Sequence, residues 1–329
     1  MAEKSPRNQT LEVAPEEAEK YINRCITLSK KTNLIDLENQ VIFQDMLEAI
    51  KLLPDDFVDL LLVDPPYNLT KQYGDNKFSK IKDDEYEIWL ENWIIEVKRC
   101  LKLDASIYVC TDWQSSKMVQ NVLERHFKIR NRITWEREKG RGAKANWKNC
   151  SEDIWFCTVS NDYYFDVEAV KLKRKVIAPY TNQEGDPKDW EKSEAGNFRL
   201  TFPSNLWTDI TLPFWSMPEN TPHPTQKPEK LIAKLILASS AEGDLVFDPF
   251  MGSGTTCVVS KKLGRKFLGI EKEPEYCQLA IKRLDIAERN QAIQGYHDRF
   301  FWERNTLAEQ QSGKSKKTTI NHDQIDFEE

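Results

Sequence analysis

The chain has 329 residues, 40% of them hydrophobic and 30% charged, which suits one large domain with an insert or two domains. Its net charge of −6 argues weakly against nucleic acid as a partner. The longest apolar runs, such as Val58–Val63 and Leu231–Ala238, are far too short to cross a bilayer, and the N-terminal residues lack the apolar region of a signal peptide. We therefore expect a soluble, cytoplasmic protein without a membrane partner.

Predicted strands and helices alternate along most of the chain. In chain order they are strand Val41–Asp45, helical turns Met46–Leu53, strand Val58–Val63, helix Tyr86–Leu101, strand Ala105–Cys110, helix Ser115–Glu124, strands Phe127–Trp135 and Asp153–Val159, helix Pro228–Ser239, strand Leu245–Phe247, helix Thr255–Leu263, strand Lys266–Ile270 and helix Pro274–Ile286. This alternation predicts an α/β fold with a mainly parallel sheet covered on both faces. The two strands between Phe127 and Val159 follow each other without a helix, so we expect them to pair antiparallel at one edge.

Three segments fall outside this alternation. The polar stretch Asp166–Asn205 shows little periodicity, and we interpret it as an insert or small subdomain. Both ends of the chain are polar, and the C-terminal end is predicted to be disordered.

The seven cysteines form no Cys-x-x-Cys pair, so we expect neither a metal site nor a disulfide framework.

Positive charge is concentrated in two stretches. Between Lys128 and Lys148 there are eight basic residues against two acidic ones, and a second basic run spans Lys171–Lys175. A phosphate backbone responds to such local fields more than to the net charge, although charge runs are also common on ordinary solvated surfaces. The candidate contacts to DNA are Arg137, Lys139, Arg141, Lys144, Lys173 and Arg174.

The tetrapeptide Asp64-Pro65-Pro66-Tyr67 follows a predicted buried strand, at the position where open α/β sheets bind ligands. The exocyclic amine of a nucleobase is a poor nucleophile because its lone pair is delocalised into the ring. Two acceptors on its N–H groups, the Asp64 carboxylate and the Pro65 carbonyl, would draw the nitrogen towards tetrahedral geometry. The two prolines stiffen that backbone, and Tyr67 offers a ring on which a flipped base can stack. The alternative is a plain strand-ending turn.

A glycine-rich turn follows a later predicted strand and opens a helix. Its residues are Asp248, Pro249, Phe250, Met251, Gly252, Ser253, Gly254 and Thr255. Glu271 ends the next strand, where an acid can accept hydrogen bonds from ribose hydroxyls. The third glycine of a dinucleotide site and the pattern of a Walker loop are both absent from the sequence. This combination favours a nucleoside ligand that needs no phosphate cradle, such as S-adenosylmethionine, over a simple packing turn.

Three prolines stiffen the segment Thr221–Pro228 directly before a predicted helix. Thr225 and Lys227 could hold a carboxylate at the start of that helix. A proline-stiffened helix cap explains the prolines equally well, but it does not explain the lysine.

These three elements together resemble the β group of DNA amino-methyltransferases of bacterial restriction–modification systems. In that family Asp-Pro-Pro-Tyr, here Asp64–Tyr67, precedes a target-recognition region. His-Pro-Thr-Gln-Lys-Pro, here His223–Pro228, and then Asp-Pro-Phe-x-Gly-Ser-Gly-Thr, here Asp248–Thr255, follow it. The segment Ser151–Phe156 is similar to the family's late strand, with Ser151 in place of its usual histidine, and we assign that position no role.

The resemblance implies a Rossmann-like methyltransferase fold with a circularly permuted, seven-stranded sheet, S-adenosylmethionine as cofactor, and Asp45 near the cofactor's adenine. It also implies a catalytic half (24–165), a target-recognition insert (166–220) and a cofactor-binding half (221–300). The polar composition of the two ends adds an N-terminal tail (1–23) and a C-terminal tail (301–329). The expected reaction is methylation of adenine N6 in a short sequence of double-stranded DNA by direct attack of a flipped-out base. No proline precedes a cysteine, so the Pro-Cys nucleophile of ring-carbon cytosine methylases is absent from the sequence.

Several alternatives remain open. Cytosine N4 is the alternative acceptor, although Asp at the first motif position is more usual in adenine enzymes. RNA and protein-glutamine methylases usually have Asn-Pro-Pro-Tyr. A DNA-binding regulator without catalytic activity would not need Asp64, Tyr67 and Glu271 together. The sequence does not distinguish a monomer from a homodimer.

Overall fold

The computed structural model describes residues 5–73, 76–137, 145–176, 180–193, 196–304 and 306. The helices are α1 (Pro15–Ile22), α2 (Met46–Ala49), α3 (Asp83–Lys98), α4 (Ser116–His126), α5 (Glu229–Ser239), α6 (Thr255–Lys262) and α7 (Pro274–Arg289). The strands are β1 (Gln40–Phe43), β2 (Val58–Val63), β3 (Lys71–Tyr73), β4 (Asn76–Phe78), β5 (Leu101–Thr111), β6 (Lys128–Glu136), β7 (Ser151–Thr158), β8 (Leu172–Lys175), β9 (Glu191–Ser193), β10 (Gly196–Thr201), β11 (Leu206–Trp207), β12 (Leu245–Asp248), β13 (Lys266–Glu271), β14 (Tyr296–His297) and β15 (Phe300–Trp302).

The central sheet has the strand order β1-β13-β12-β2-β5-β7-β6-β11. From β1 to β5 all neighbours are parallel, whereas β7 runs antiparallel to both β5 and β6. The predicted antiparallel pair is therefore confirmed. The sheet has eight strands rather than seven, because the two-residue β11 adds to β6 in parallel.

Both faces of this sheet are covered, which explains the near-continuous apolar strands. In β2, Leu61 and Val63 pack into a core that includes residues of α3 and α4. Leu60 and Leu62, on the other face, pack into a core that includes residues of α5. Pro65 and Pro66 then end the strand, since proline cannot donate to the ladder.

The insert contains strands that its sequence did not reveal. β8, β9 and β10 form a second sheet of order β14-β15-β8-β10-β9, and two of its strands come from near the C-terminal end of the described chain. Leu172 of this sheet joins the same core as α5. The sheet therefore forms from segments more than 100 residues apart, which local periodicity does not show.

The structure corrects both predicted tails. Residues 15–22 form α1, whose buried Tyr21 packs into a core with residues of α7. Ion pairs support this contact, with Lys282 Nζ 2.7 Å from Glu17 Oε2. At the other end the expected boundary at residue 301 divides β15, in which Phe301 is fully buried. Residues 307–329, predicted to be disordered, lie outside the described residues.

In the part of the chain that the structure describes, none of the helices combines the length and apolarity needed to cross a bilayer. All seven cysteines lie in that part, and each is a free thiol.

Candidate active site

The carboxyl ends of four neighbouring parallel strands surround a cavity of about 280 Å³. Asp64 follows β2, Asp248 ends β12, Glu271 ends β13, and Asp45 lies two residues beyond β1. The predicted site residues that line this cavity are Asp45, Asp64, Pro65, Pro66, Tyr67, Thr225, Lys227, Asp248, Pro249, Phe250, Gly252, Ser253, Thr255 and Glu271. Two motifs about 180 residues apart in the sequence therefore share one cavity.

Asp64 is the centre of a hydrogen-bonded cluster. Its Oδ1 accepts a hydrogen bond from the Tyr67 hydroxyl at 2.7 Å, and its Oδ2 accepts one from Lys227 Nζ at 2.6 Å. Lys227 Nζ also lies 3.2 Å from the Tyr67 hydroxyl. The Lys227 side chain is only 7% exposed and that of Asp64 22%. Both oxygens of the predicted catalytic carboxylate are thus engaged by the protein's own groups.

Lys227 lines the cavity, and its ammonium pairs with Asp64. The sequence-based expectation that Lys227 and Thr225 hold a ligand carboxylate stays a prediction. At the start of α5, Glu219 Oε2 accepts a hydrogen bond from the Glu229 amide at 2.7 Å. Burial raises the pKa of Glu219 to about 7. Thr225 lines the cavity, and its amide donates to His223 Nδ1.

Glu152 completes the Asp64 cluster, and the sequence analysis did not identify it. Its side chain is 3% exposed, and its Oε2 lies 3.3 Å from Lys227 Nζ and 3.4 Å from the Tyr67 hydroxyl. Its Oε1 accepts a hydrogen bond from Arg137. Glu152 lies at the start of β7, and because β7 is antiparallel its first residues reach the edge where the parallel strands end. The sequence feature that could have identified Glu152 was its position next to Ser151 in the late-strand motif.

The protonation states in this cluster follow from its surroundings. Burial raises the pKa of Tyr67 well above its usual value, and the neighbouring Asp64 adds to this effect. Burial alone would lower the pKa of Lys227, but Asp64 and Glu152 outweigh it, so that the pKa lies above its usual value. The hydroxyl and the ammonium therefore remain protonated donors at neutral pH.

The glycine-rich turn is shaped by its acidic residues. Asp248 Oδ2 accepts a hydrogen bond from Thr256 Oγ1 at 2.6 Å, and its Oδ1 accepts one from the Phe250 amide at 3.1 Å. Burial nevertheless raises the pKa of Asp248 to about 7. Glu271 accepts a hydrogen bond from the Gly252 amide at 2.9 Å, so the acid predicted to face ribose also fixes the turn.

The two glycines of the turn serve different contacts. A Cβ on Gly252, which has φ +54°, would lie 2.8 Å from His223 Nε2 in the cavity wall. Gly254, at φ +80°, does not line the cavity; a Cβ there would lie 2.6 Å from Ala280 Cβ of α7. Gly254 therefore permits α6 to pack against α7, and its role as a cofactor-binding residue stays a prediction.

Two further residues of this region were not anticipated from the sequence. Arg283 of α7 is buried and donates to the Ser253 carbonyl and to Thr255 Oγ1, both at 2.9 Å, which ties the turn to α7. His223 lines the cavity, and burial lowers its pKa to about 4, so that its ring is neutral. Arg283 has no local pattern that distinguishes it from a surface arginine, whereas His223 opens the motif His223–Pro228, in which the sequence analysis assigned roles only to Thr225 and Lys227.

The predicted DNA contacts are distributed over the molecule. Arg137, the residue directly after β6, pairs with Glu152. Lys173 and Arg174 lie on β8 in the second sheet, where Lys173 Nζ stands 4.8 Å from the centre of the Trp302 ring. These three residues do not line the cavity. Lys139, Arg141 and Lys144 lie outside the described residues. Within the described ranges, no group of three or more His, Cys, Asp and Glu side chains could hold a metal ion.

The permuted α/β sheet, with Asp-Pro-Pro-Tyr and a glycine-rich turn around one cavity, defines the class of Rossmann-like methyltransferases. Among solved structures, the chain is similar to the PvuII DNA methyltransferase (cytosine-N4-specific), with a TM-score of 0.55 and 22% identity over 76% of this chain and 91% of that chain. It is also similar to the Thermus thermophilus protein TTHA0409 in complex with S-adenosyl-L-methionine, with a TM-score of 0.51 and 21% identity over 80% and 98% of the two chains. At these identities the similarity establishes the fold.

The sequence profile of a family described as DNA methylase matches residues 58–282. The DNA adenine methyltransferase YhdJ of Escherichia coli (strain K12) is 34% identical over 259 residues, which cover 77% of this chain and 84% of that protein. The type II methyltransferase M.HpaI of Haemophilus parainfluenzae is 31% identical over 252 residues, or 76% and 75% of the two chains. The chain belongs to the DNA methylase family.

Proposed function

We propose that this DNA methylase transfers a methyl group from S-adenosylmethionine to N6 of adenine within a short sequence of double-stranded DNA. The single observation that supports this best is that Asp64–Tyr67 and the turn Asp248–Thr255 line the same cavity. One motif offers acceptors for a base amine, and the other can hold the methyl donor beside it. Because the substrate is DNA, the protein would act where the chromosome lies, which in bacteria is the cytoplasm.

The residues of the cavity fit an adenosyl amino acid. Gly252 allows the turn to pack closely against His223 in the cavity wall, and Phe250 and Met46 supply apolar surface for an adenine ring. Glu271 and Asp45 are the acceptors for its hydroxyl and amino groups. When bound, S-adenosylmethionine supplies an electrophilic methyl group on a positively charged sulfur, which a base nitrogen can attack directly. The chain's own residues then have to bind the cofactor and the base, orient them towards each other, and exclude water from the site.

The base amine is activated by hydrogen bonding. Asp64 accepts from one N–H group, and the Pro65 carbonyl accepts from the other, so the nitrogen lone pair is withdrawn from the ring. The Tyr86 hydroxyl donates to the neighbouring Pro66 carbonyl at 2.9 Å, which anchors the rigid Pro-Pro backbone to α3. Tyr67 offers its ring to the flipped base. Positioning of this kind supplies most of the acceleration, and no covalent enzyme intermediate is needed.

Adenine is favoured over cytosine as the target. Asp64 occupies the first motif position, where aspartate is typical of adenine enzymes, and the 34% identical Escherichia coli relative is an adenine methyltransferase. The insert 166–220, which includes β8–β11, is the proposed target-recognition region, and Lys173 and Arg174 within it are proposed contacts to DNA.

Nucleoside mass spectrometry tests this proposal. Unmethylated DNA, amplified from a bacterial genome, is incubated with the protein and S-adenosylmethionine and then digested to nucleosides. We expect N6-methyladenine, at sites that sequencing maps to one short motif. Asp64→Ala, which removes the acceptor but leaves the turn at Asp248–Thr255 intact, should bind S-adenosylhomocysteine and form no product. N4-methylcytosine as the product would establish the cytosine alternative, and no methylated base would refute the proposal.

A further inference from the structure

Lys227 stands between two carboxylates in the active-site cavity. Its Nζ is 2.6 Å from Asp64 Oδ2 and 3.3 Å from Glu152 Oε2. All three side chains are largely removed from water, and Glu152 is the most buried of them, at 3% exposure. A small rotation about the terminal bonds of the lysine would exchange the short contact for the long one.

The contact between Lys227 and Asp64 conflicts with the proposed use of Asp64. A carboxylate paired with an ammonium is a weaker acceptor for a base amine, because the cation neutralises the charge that attracts the N–H group. Within a site shielded from water, this effect is larger than it would be on the surface. For Asp64 to activate a base, the ammonium of Lys227 therefore needs another partner.

Glu152 is suited to be that partner. Its Oε1 is held by Arg137, so its Oε2 faces Lys227 and the Tyr67 hydroxyl. If Lys227 moved from Asp64 without meeting another carboxylate, a buried cation would be left unpaired, which is costly. With Glu152 in place, the ammonium exchanges one carboxylate for another and stays paired throughout.

Resting on the function proposed above, we propose that Lys227 is a transferable counter-ion and that Glu152 is the positioning residue that receives it. Before the base arrives, Lys227 neutralises Asp64 and prevents two buried carboxylates from facing each other. When the base amine enters, Lys227 transfers to Glu152, and Asp64 regains its charge as an acceptor. No covalent bond changes in this exchange.

Glu152→Gln separates this role from a structural one. Glutamine keeps the shape of the side chain and an acceptor for Arg137, but it removes the charge that draws Lys227 from Asp64. We expect kcat/KM to fall by about 10–100-fold, the equivalent of one hydrogen bond to a charged group. The dissociation constant for S-adenosylhomocysteine should stay unchanged, since Glu152 does not line the cofactor turn. Glu136→Gln, a carboxylate of the adjacent strand paired with Arg304, is the matched control and should keep wild-type activity.

The decisive variant is the double substitution Glu152→Gln with Lys227→Met. If Lys227 blocks Asp64 when Glu152 lacks its charge, removal of Lys227 should raise kcat/KM at least about tenfold above that of Glu152→Gln alone. A purely structural network predicts the opposite, a further loss. Glu152→Asp withdraws the carboxylate from Lys227 but keeps its charge. Its kcat/KM should fall less than that of Glu152→Gln, and adding Lys227→Met should restore kcat/KM in the same way. Glu152→Asp replaces Glu152→Gln if the glutamine variant does not fold.

Initial rates of tritium transfer to unmethylated genomic DNA provide the readout, together with calorimetric binding of S-adenosylhomocysteine. The inference is overturned if Glu152→Gln is as active as the wild type, or if the double variant is no more active than Glu152→Gln. A wild-type protein that methylates no DNA would instead refute the proposed function. The two failures are therefore distinguishable.

Discussion

The Tyr67 side chain combines a hydroxyl and a ring, whose contributions two substitutions can separate. The hydroxyl donates to Asp64 Oδ1 at 2.7 Å, and the raised pKa of Tyr67 keeps it a donor throughout the pH range of an assay. Tyr67→Phe removes this bond and leaves the ring in place. A hydrogen bond to a charged group contributes about 1.5–3 kcal/mol, so we expect kcat/KM to fall by about 10–100-fold.

Tyr67→Ala removes the ring as well. Stacking of a base on an aromatic side chain contributes about 1–3 kcal/mol, so the alanine variant should lose a further factor of about 5–150. The loss in the phenylalanine variant should lie mainly in kcat, because the orientation of Asp64 matters in the transition state. The alanine variant should also show a higher KM for DNA, because the flipped base has lost its platform.

Single-turnover transfer of tritium from S-adenosylmethionine to unmethylated DNA measures both variants. The dissociation constant for S-adenosylhomocysteine should stay within a few-fold of the wild-type value. A substitution at one contact usually has little effect on a separate contact. Equal activities of the two variants would show that the ring does not contact the base. Wild-type activity in Tyr67→Phe would show that the hydroxyl does not orient Asp64, and either result would refute the reasoning.

Three stability predictions follow from the fold. Gly254→Ala brings a Cβ within 2.6 Å of Ala280 Cβ at a residue with φ +80°. In urea unfolding it should lower the free energy of unfolding by roughly 2–4 kcal/mol. Calorimetry should show weaker cofactor binding. The folded-state pKa of Asp248 is raised from 3.8 to about 7. Between these two pH values the native state binds a proton that the unfolded state does not bind, so the free energy of unfolding falls as pH rises. Asp248→Asn does not titrate, so its free energy of unfolding should rise relative to wild type by up to about 4 kcal/mol between pH 4 and pH 8, and a constant difference would contradict this assignment. Phe301→Ala removes a fully buried ring from the second sheet and should cost about 3–5 kcal/mol in urea unfolding, whereas a disordered residue at this position would cost nothing measurable.

The sequence predicted the central sheet well because its signals are local. The run Val58–Val63 is apolar throughout since both faces of β2 are covered, and Pro65 marks its end. The second sheet was not predicted because its strands are short and mostly polar, and because β8 pairs with β15, which lies far along the chain. Helix α1 was missed because it is only eight residues long and Tyr21 is its one buried residue, so it offers few apolar positions from which to recognise a helix.

The sequence likewise predicted some parts of the candidate site and not others. Asp64–Tyr67 and Asp248–Thr255 could be identified because each motif combines its chemistry within a few consecutive residues. The partners of Asp64 could not, since Lys227 follows it by 163 positions and Glu152 reaches it from an antiparallel strand. The sequence singled out Lys227 as a residue that could hold a carboxylate, but it did not show that Asp64, from another part of the chain, pairs with its ammonium.

The position of the cavity follows from the connections of the sheet, and it does not depend on where the chain begins. From β12 the chain crosses to β13 on one side, whereas from β2 it crosses to β5 on the other. The loops after β12 and β2 therefore diverge, and a crevice opens between their carboxyl ends, as expected at a topological switch point. Circular permutation changes which of these strands comes first but leaves them neighbours. Asp64 and the turn at Asp248 consequently meet at this crevice, so that a base amine bound by one half faces a methyl donor bound by the other.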